Sequence, residues 1–251
     1  MRRSFGFSAL SFLLALGCFT TVSVATVSPT TSTGRKGLRA RTATGDDPSL
    51  PMWGGAPVWQ AEVNLTYPDP VSTWKLHYYY DAERNASRWV HHPPQYDEMC
   101  QGLPYGSEYQ CNVIFATDGW SYIQFPERNW TCKCEDKFGA VDLYWLRGGS
   151  YEGVNPTPID GREVQHWTKQ GNMLNHYYCT DDKKQLPVRY HEIWGGKPKQ
   201  WDFLLDTYRT KFNRSLVDPI PGAPLCNSLP CTSFRESDTV AVTQEDVNFQ
   251  S

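Results

Sequence analysis

The protein has 251 residues, of which 39% are hydrophobic, 14% aromatic and 20% charged, with a formal net charge of −3 at pH 7. This aromatic content excludes a wholly disordered chain, because disordered sequences lack the apolar side chains that a folded core requires. The sequence has no Gly-x-y register and no sustained heptads, and its one long apolar run lies at the N-terminus. Collagen, a coiled coil and a polytopic membrane protein are therefore excluded.

Residues 1–25 have the features of a secretory signal peptide. Residues 1–3 are a short basic start, residues 5–19 are apolar, and Ser23-Val24-Ala25 places small residues at the two positions that a signal peptidase reads. The apolar run is shorter than the roughly 20 residues that span a bilayer, which favours a cleaved signal over a membrane anchor. We therefore expect a secreted, extracellular protein.

Polar segments flank the part of the chain that is expected to fold. Residues 26–55 are rich in Thr, Ser, Gly and Pro, which indicates a flexible linker or pro-segment. Residues 232–251 carry one Arg against four acidic residues and are predicted to be a disordered acidic tail. The sequence thus predicts one domain over residues 56–231. Residues 46–231 have 17 basic and 23 acidic side chains, a balance with the wrong sign for nucleic-acid binding.

Within this domain the hydrophobic pattern alternates with the period of a β-strand. In residues 74–80 (WKLHYYY) every second side chain is apolar, so these residues share one face of a strand. Turn pairs such as Asp-Gly and Gly-Gly separate the segments, and about ten such strands predict an antiparallel sandwich or barrel. A short helix is also expected over residues 206–213. The other predicted strands are 59–65, 87–91, 112–116, 120–125, 141–147, 163–168, 174–179, 188–194 and 201–205.

Seven cysteines follow the predicted signal peptide. In an oxidising compartment they are expected to form disulfides with one thiol left over, and their spacing leaves the pairing open. The Cys-Lys-Cys sequence at 132–134 has no second pair of cysteines at zinc-site spacing, so disulfides are favoured over a metal site. The seven residues are Cys100, Cys111, Cys132, Cys134, Cys179, Cys226 and Cys231.

Four Asn-x-Ser/Thr sequons support the secretory route. They are predicted to be glycosylated, which would place each Asn on an exposed loop. The four acceptors are Asn64, Asn85, Asn129 and Asn213.

Several short segments occur in an order that is similar to that of a known protein family. They are LHYYYDAERNASRWV at 76–90, Cys100, VQHW at 164–167, Cys179, LPV at 186–188, DFLLDTY at 202–208 and IPGAPLC at 220–226. This order, over roughly residues 57–231, resembles the ependymin-related proteins. The resemblance implies a secreted glycoprotein with two stacked, strongly curved antiparallel sheets. Such a half-barrel is similar to the bacterial periplasmic carriers of lipoproteins and encloses a hydrophobic pocket for a lipid-like ligand.

The resemblance also implies calcium binding, a possible homodimer and two disulfides, Cys132–Cys226 and Cys100–Cys231. No cysteine lies near residues 57–59, where the usual partner of Cys179 would be. This chain has Cys111 and Cys134 in addition, so Cys179 is expected to pair with one of these or to stay free.

No catalytic motif is present, and we expect the protein not to be an enzyme. The sequence has no Gly-x-Ser-x-Gly elbow, His-Glu-x-x-His pair or phosphate loop. His91-His92 is expected to be an exposed strand end, because neighbours on a strand point to opposite faces and do not chelate one ion. Asp181-Asp182 and Glu135-Asp136 offer oxygen atoms that calcium prefers, without EF-hand spacing. Calcium is the one cofactor that the resemblance implies, and the sequence predicts no specific metal-binding residues.

The aromatic residues are the candidate ligand site. They are more numerous than a thin core requires, which predicts that some of them line an apolar cavity on a concave sheet. The leading hypothesis is a secreted protein that binds a hydrophobic small molecule or lipid. The alternative is a carbohydrate-binding or cell-matrix adhesion domain with exposed rings that stack on sugars or contact extracellular matrix. The predicted pocket residues are Trp74, Leu76, Tyr78, Tyr80, Trp89, Trp120, Tyr122, Trp145, Trp167 and Phe203.

Overall fold

The fold is described from a computed structural model. It describes residues 48–68, 71–95, 97, 99–101, 103–134, 139–171, 173–194, 197–226 and 231. The predicted signal peptide, most of the predicted linker, the predicted acidic tail and Glu135-Asp136 lie outside the described residues. In the part that is described, no helix is long and apolar enough to cross a membrane.

Eleven antiparallel strands form one curved, unclosed sheet, which confirms the all-β prediction. The strands are β1 (Val58–Pro68), β2 (Val71–Asp81), β3 (Ala86–His91), β4 (Cys111–Phe115), β5 (Ser121–Phe125), β6 (Trp130–Lys133), β7 (Ser150–Val154), β8 (Val164–Gln170), β9 (Leu174–Thr180), β10 (Pro187–Trp194) and β11 (Lys197–Arg209). Their order across the sheet is β6-β5-β4-β3-β2-β1-β11-β10-β9-β8-β7, so β1 and β11 meet at the centre. The resemblance implied two stacked sheets, whereas here one hydrogen-bonded ladder joins all the strands.

Alternation along the strands gives the sheet two different faces. On β1, Trp59, Ala61 and Val63 are fully buried, while Gln60, Glu62 and the residues in step with them are partly exposed. We call the face that carries Trp59 the inner face and the opposite one the outer face. Apolar side chains at every second position therefore place the main core on one side of the sheet, as period-2 patterning predicts.

Some predicted elements differ from the structure. Residues 141–147 contain no strand; residues 143–148 form consecutive turns, and β7 begins only at Ser150. The apolar side chains in that stretch belong to a covering segment that packs on the inner face, so they gave a strand-like pattern without ladder pairing. The helix expected over residues 206–213 is absent from the described chain, because β11 continues to Arg209 in register with β1.

The structure pairs six of the seven cysteines. Cys100 bonds to Cys111, Cys132 to Cys226 and Cys134 to Cys231, and Cys179 is a buried free thiol. The Cys132–Cys226 bridge is confirmed. Three disulfides indicate an oxidising compartment.

The Cys100–Cys231 bridge implied by the resemblance is wrong. The chain before Cys226 runs beside β6, where the Lys133 backbone N–H donates to the Pro224 carbonyl at 2.7 Å. Cys132 and Cys134 are two residues apart on an extended backbone, so their side chains point to the same side. Both face the segment that leads to Cys226. Cys134 therefore forms the disulfide with Cys231, and Cys100 bonds instead to Cys111 at the start of β4.

The predicted glycosylation sites lie in two kinds of place. Asn85 and Asn129 end two similar turns, each after a Glu-Arg pair, with positive φ of 51° and 46°. Both are exposed, as is Asn213. The expectation of a loop is wrong for Asn64, which lies within β1 opposite Lys75 and Asp202.

A buried carboxylate ties β2 to the segment after β11. The Asp81 side chain is fully buried and accepts hydrogen bonds from Arg84 Nε at 2.7 Å and from Arg214 Nη2 at 2.6 Å. Burial acts to raise the pKa of Asp81, but the hydrogen bonds and charges of Arg214 and Arg84 outweigh burial and lower it. Arg84 also pairs with Asp218 at 2.8 Å.

We expect Asp81→Asn to lower the free energy of unfolding by about 2 kcal/mol, because hydrogen bonds to charged groups are lost. Asp218→Asn is the matched control, and since its carboxylate is 46% exposed we expect a loss below about 1 kcal/mol. Urea unfolding measures both. Because the folded-state pKa of Asp81 is below its unfolded value of about 3.9, its contribution is full above that pH and is lost as the pH falls further. Equal losses for the two variants would contradict this role.

We expect Cys179 to resist iodoacetamide in the native protein near pH 8, since burial raises the pKa of the thiol to about 12. In guanidinium chloride it should react fully. Peptide mapping without reduction measures both the labelled site and the three bridges, and a Cys100–Cys231 peptide would overturn the pairing described above.

Candidate functional site

The inner face is built around one short turn at the start of the described chain. Residues Trp53–Gly55 form a 3-10 turn, called here the Trp-Gly-Gly turn, and Trp53 is 4% exposed. Its indole lies 5.6 Å from the ring of Tyr177 and 5.4 Å from that of Tyr190. The predicted linker therefore extends too far, because its last residues belong to the core. The Gly- and Pro-rich surroundings of Trp53 concealed this in the sequence.

Polar atoms of the buried rings hold this turn in place. Trp53 Nε1 donates to the Tyr78 hydroxyl at 3.3 Å, and Trp59 Nε1 donates to the Trp53 carbonyl at 3.2 Å. The Gly54 N–H donates to the Tyr177 hydroxyl at 3.2 Å. Gly54 has φ of 70°, and a Cβ there would lie 2.0 Å from an atom of the Trp59 ring, so only glycine fits.

A second covering segment, residues 139–147, lies over the same face. The Trp53 N–H donates to the Leu143 carbonyl at 2.7 Å, and the Tyr80 hydroxyl donates to the Val141 carbonyl at 2.6 Å. These bonds place the Trp145 ring 5.6 Å from that of Trp53. The covering segments and the sheet thus form two walls of one space.

Between these walls lies a partly open cavity of about 220 Å³. Its lining is mainly aromatic. Tyr78, Trp89, Tyr190 and Trp201 contribute from the sheet, and Trp53 and Trp145 contribute from the covering segments. An apolar cavity of 150 Å³ is known to hold benzene, so this one has room for roughly eight or nine non-hydrogen atoms.

Two hydrogen-bond donors in the lining have no well-placed acceptor among the described residues. Trp145 Nε1 and Trp89 Nε1 are both buried atoms without a partner in hydrogen-bond geometry. Trp89 still interacts with the nearby Tyr78 hydroxyl and acts to lower its pKa, so Trp145 is the donor with less compensation. Burying an N–H without an acceptor costs roughly 1–3 kcal/mol, and most buried donors in proteins are paired. An acceptor atom on a bound molecule would satisfy either donor.

Charged and titratable groups lie at one part of the lining. Asp97 and Lys199 are 7% and 8% exposed, and Glu192 Oε1 accepts from Trp201 Nε1 at 2.8 Å. The Asp97 carboxylate lies 3.3 Å from His91 Nε2, without hydrogen-bond geometry. Burial lowers the pKa of His91, while the Asp97 charge acts to raise it. The cavity is therefore amphipathic.

The structure separates the ten predicted pocket residues. Tyr78, Trp89 and Trp145 line the cavity. Trp120 and Tyr122 do not, because they pack with Ile114 on the outer face. The other five belong to the main inner-face core beside the cavity. They are Trp74, Leu76, Tyr80, Trp167 and Phe203.

Sequence reasoning missed several lining residues. Trp53 lies in the predicted linker, and the strand pattern predicts positions on strands for Tyr190 and Trp201 but no place in the site, yet all three line the cavity. The alternation in β10 and β11 placed both on the inner face, but their approach to Trp53 depends on the turn above them. His91 is another difference, since it is 2% exposed and faces inward, whereas His92 is exposed.

The outer face carries a separate histidine cluster. His166 Nε2 and His176 Nδ1 are 3.0 Å apart, and the rings of His176 and His191 are 6.3 Å apart. Burial and the neighbouring His176 lower the pKa of His166 to about 4. Burial also lowers the pKa values of His176 and His191.

The carboxylate oxygens that the sequence offers to calcium at residues 181–182 already accept hydrogen bonds from neighbouring residues. Asp182 Oδ1 accepts from Thr180 Oγ1 and from the Lys184 backbone N–H, both at 2.9 Å. Asp181 Oδ1 accepts from Gln165 Nε2 at 2.9 Å. These contacts are those of a turn that closes on itself, and calcium binding stays a prediction.

The comparisons with known proteins assign no family. No family profile and no curated protein matches this chain. Similar solved structures include an uncharacterised conserved protein from Thermus thermophilus, with 14% identity, a TM-score of 0.42 and coverage of 68% of this chain and 90% of that one. Two others are MucB in complex with MucA(peri), and a DUF1329 family protein from Desulfovibrio piger.

For MucB the identity is 11%, the TM-score is 0.32 and the coverage is 68% of this chain and 56% of that one, so this chain spans little more than half of MucB. For the DUF1329 protein the identity is 8%, the TM-score is 0.25 and the coverage is 65% of this chain and 90% of that one. All of these values are too low to carry an argument about function.

We expect Trp53→Ala to lower the free energy of unfolding by about 3–5 kcal/mol, because it empties the centre of the inner-face core. Trp120→Ala is the control, since it removes an indole that is partly exposed on the outer face. Its loss should be clearly smaller. Denaturant unfolding with the disulfides intact measures both, and a Trp53→Ala protein as stable as Trp120→Ala would disprove the central place of this turn.

Proposed function

We propose that this protein is an extracellular binding protein for a small, largely apolar molecule that carries a hydrogen-bond acceptor. The observation that carries the proposal is the aromatic cavity of about 220 Å³, whose lining includes two buried indole N–H groups that no described residue accepts from in hydrogen-bond geometry. No catalytic step is proposed.

The size of the cavity limits what it holds. Small-molecule sites usually enclose about 300–1,000 Å³, so this cavity is smaller than most and does not enclose a whole lipid. A chain of about eight carbon atoms fits, and at about 0.8 kcal/mol per buried methylene it gains roughly 6 kcal/mol before the cost of association. The ligand is therefore a compact ring system or the end of an acyl chain, with the remainder in the open mouth.

The polar groups favour a neutral acceptor over a carboxylate. The two free indole donors are uncharged, while Asp97 and Glu192 lie in the same lining and repel an anion. Lys199 offsets one of these charges. A carbonyl, ether or hydroxyl oxygen matches this arrangement better.

The position of the rings supports this proposal over carbohydrate binding or matrix adhesion. A glycan site needs rings exposed on one flat face. Among the aromatic residues whose side chains are described, Tyr144 is the one that is strongly exposed, at 41%. The rings of the main core, such as those of Trp53, Trp59 and Tyr177, face inward instead.

We further propose that the chain is an ependymin-related, secreted glycoprotein. The order of its segments from LHYYYD to IPGAPLC supports this, as does the Cys132–Cys226 bridge. Glycosylation at the four sequons, calcium binding and a homodimer are parts of the same proposal.

Calorimetric titration with 1-octanol, octanoate and dodecanoate tests the binding proposal. We expect 1-octanol to bind at one site with Kd on the order of 0.1 mM and octanoate to bind more weakly. Trp89→Phe and Trp145→Phe keep the ring but remove the N–H, and each should weaken 1-octanol binding by about fivefold, because one hydrogen bond contributes roughly 1 kcal/mol.

Trp120→Phe is the matched control on the outer face, and it should bind as the wild type does. Absence of saturable binding of all three probes would refute the proposal. Equal effects of the three Trp→Phe variants would show that the probes bind elsewhere.

A further inference from the structure

We propose that His166, His176 and Glu152 form a binding site for a borderline divalent transition-metal ion, zinc or copper(II). The three residues come from neighbouring strands β8, β9 and β7 and lie on the outer face. The site is thus on the opposite side of the sheet from the apolar cavity, and it is independent of the function proposed for that cavity.

The two imidazoles already have the separation of a pair of metal ligands. His166 Nε2 and His176 Nδ1 are 3.0 Å apart. Zinc–nitrogen bonds of about 2.0–2.1 Å in a tetrahedron place two nitrogens roughly 3.3 Å apart, and a right-angled pair on copper lies at roughly 2.9 Å. The observed distance falls between these values, so the two nitrogens keep their separation to within a few tenths of an ångström while each ring tilts to direct its lone pair at the ion.

The sheet fixes this pair. His166 lies opposite Tyr178, and His176 lies opposite Thr168, so the histidines are diagonal neighbours across the β8–β9 ladder. The His166 ring also stacks on Tyr178, with centroids 4.5 Å apart and planes 8° from parallel. The approach of the two nitrogens is therefore set by strand register and packing.

A β-bulge brings the carboxylate to the pair. In the β7–β8 ladder Tyr151 pairs with Trp167 and Gly153 pairs with His166, so Glu152 is the extra residue of the bulge. Bulges redirect side chains, and Gly153 has φ of 107°, which favours glycine. Glu152 Oε1 accepts from Thr168 Oγ1 at 2.7 Å, beside His176 in the ladder.

One side-chain rotation completes the site. Among the described residues, the only three ligand atoms that already lie within 4.8 Å of one another belong to Cys132, Cys226 and Cys231, and these cysteines are in disulfides. Glu152 is exposed, and its carboxylate interacts electrostatically with both His166 and His176, so we infer that a rotation away from Thr168 brings it to the ion. The ion replaces the hydrogen that the two rings share, and the ring that donates it shifts its proton to its other nitrogen, so no proton is released.

The ligand set selects the class of ion. Two imidazoles and one carboxylate suit zinc and copper, whereas calcium takes six to eight oxygen ligands. His191 stands beside His176 with its Nε2 held 2.8 Å from Gln200 Oε1, which positions it as a neighbour of the site.

The test is calorimetric titration of the full, disulfide-intact protein, free of any oligohistidine tag, with zinc, copper(II) and calcium salts in turn. We expect one zinc or copper ion per chain and no calcium at this site. His166→Asn and His176→Asn should each weaken zinc binding by about tenfold or more, and Glu152→Gln should weaken it less. His77→Asn is the matched control, because His77 is a partly buried histidine on the same face that stacks on Tyr79.

Electron paramagnetic resonance of the copper(II) form of the wild type gives a second measurement that needs no variant to fold. Coupling to two imidazole nitrogens supports the site, and coupling to one or none overturns it. Absence of zinc binding by the wild type, or equal zinc affinity of the wild type and both folded histidine variants, also overturns it.

Discussion

The structure depends on the need to satisfy the polar atoms of buried aromatic side chains. An indole or phenol removed from water without a partner costs free energy, so a core made of Trp and Tyr must supply acceptors and donors as well as volume. Here the Trp-Gly-Gly turn supplies them, since it bonds to Tyr78, Trp59, Tyr177 and Tyr208 at once. The turn thus covers the inner face with apolar surface and also supplies hydrogen-bond partners to the buried rings.

The Trp-Gly-Gly turn explains why one face of an open, single sheet is buried. A single antiparallel sheet buries one face only when something covers it. The Trp-Gly-Gly turn and residues 139–147 cover the centre, and they are bonded to each other through Trp53 and Leu143. Rings that meet edge to face leave gaps where no further side chain reaches, and the cavity lined by Trp89 and Trp145 is such a gap. The same packing that stabilises the fold therefore leaves two indole donors unpaired.

The two faces of the sheet carry different chemistry for a simple geometric reason. Successive side chains on a strand point to opposite sides, so Tyr177 enters the aromatic core while its neighbour His176 faces outward. On β8, β9 and β10 this arrangement places Trp167, Tyr177 and Tyr190 inside and His166, His176 and His191 outside. The apolar cavity and the proposed metal site can thus be altered separately.

The sequence by itself determined the strand class, the alternation of β2, the Cys132–Cys226 pairing through the family resemblance, and the cysteine that had no assured partner. The strand class and the alternation depend on local periodicity, whereas the disulfide pairing was implied by the resemblance alone, because cysteine spacing leaves it open. It did not determine that Trp53 belongs to the core, that residues 141–147 cover the sheet, or that Trp120 and Tyr122 face away from the cavity. Those facts depend on which distant segments meet, and an apolar residue in a loop carries no local signal of the surface on which it packs. The same holds for the histidine pair, since only the β8–β9 register brings residues ten positions apart to within 3.0 Å.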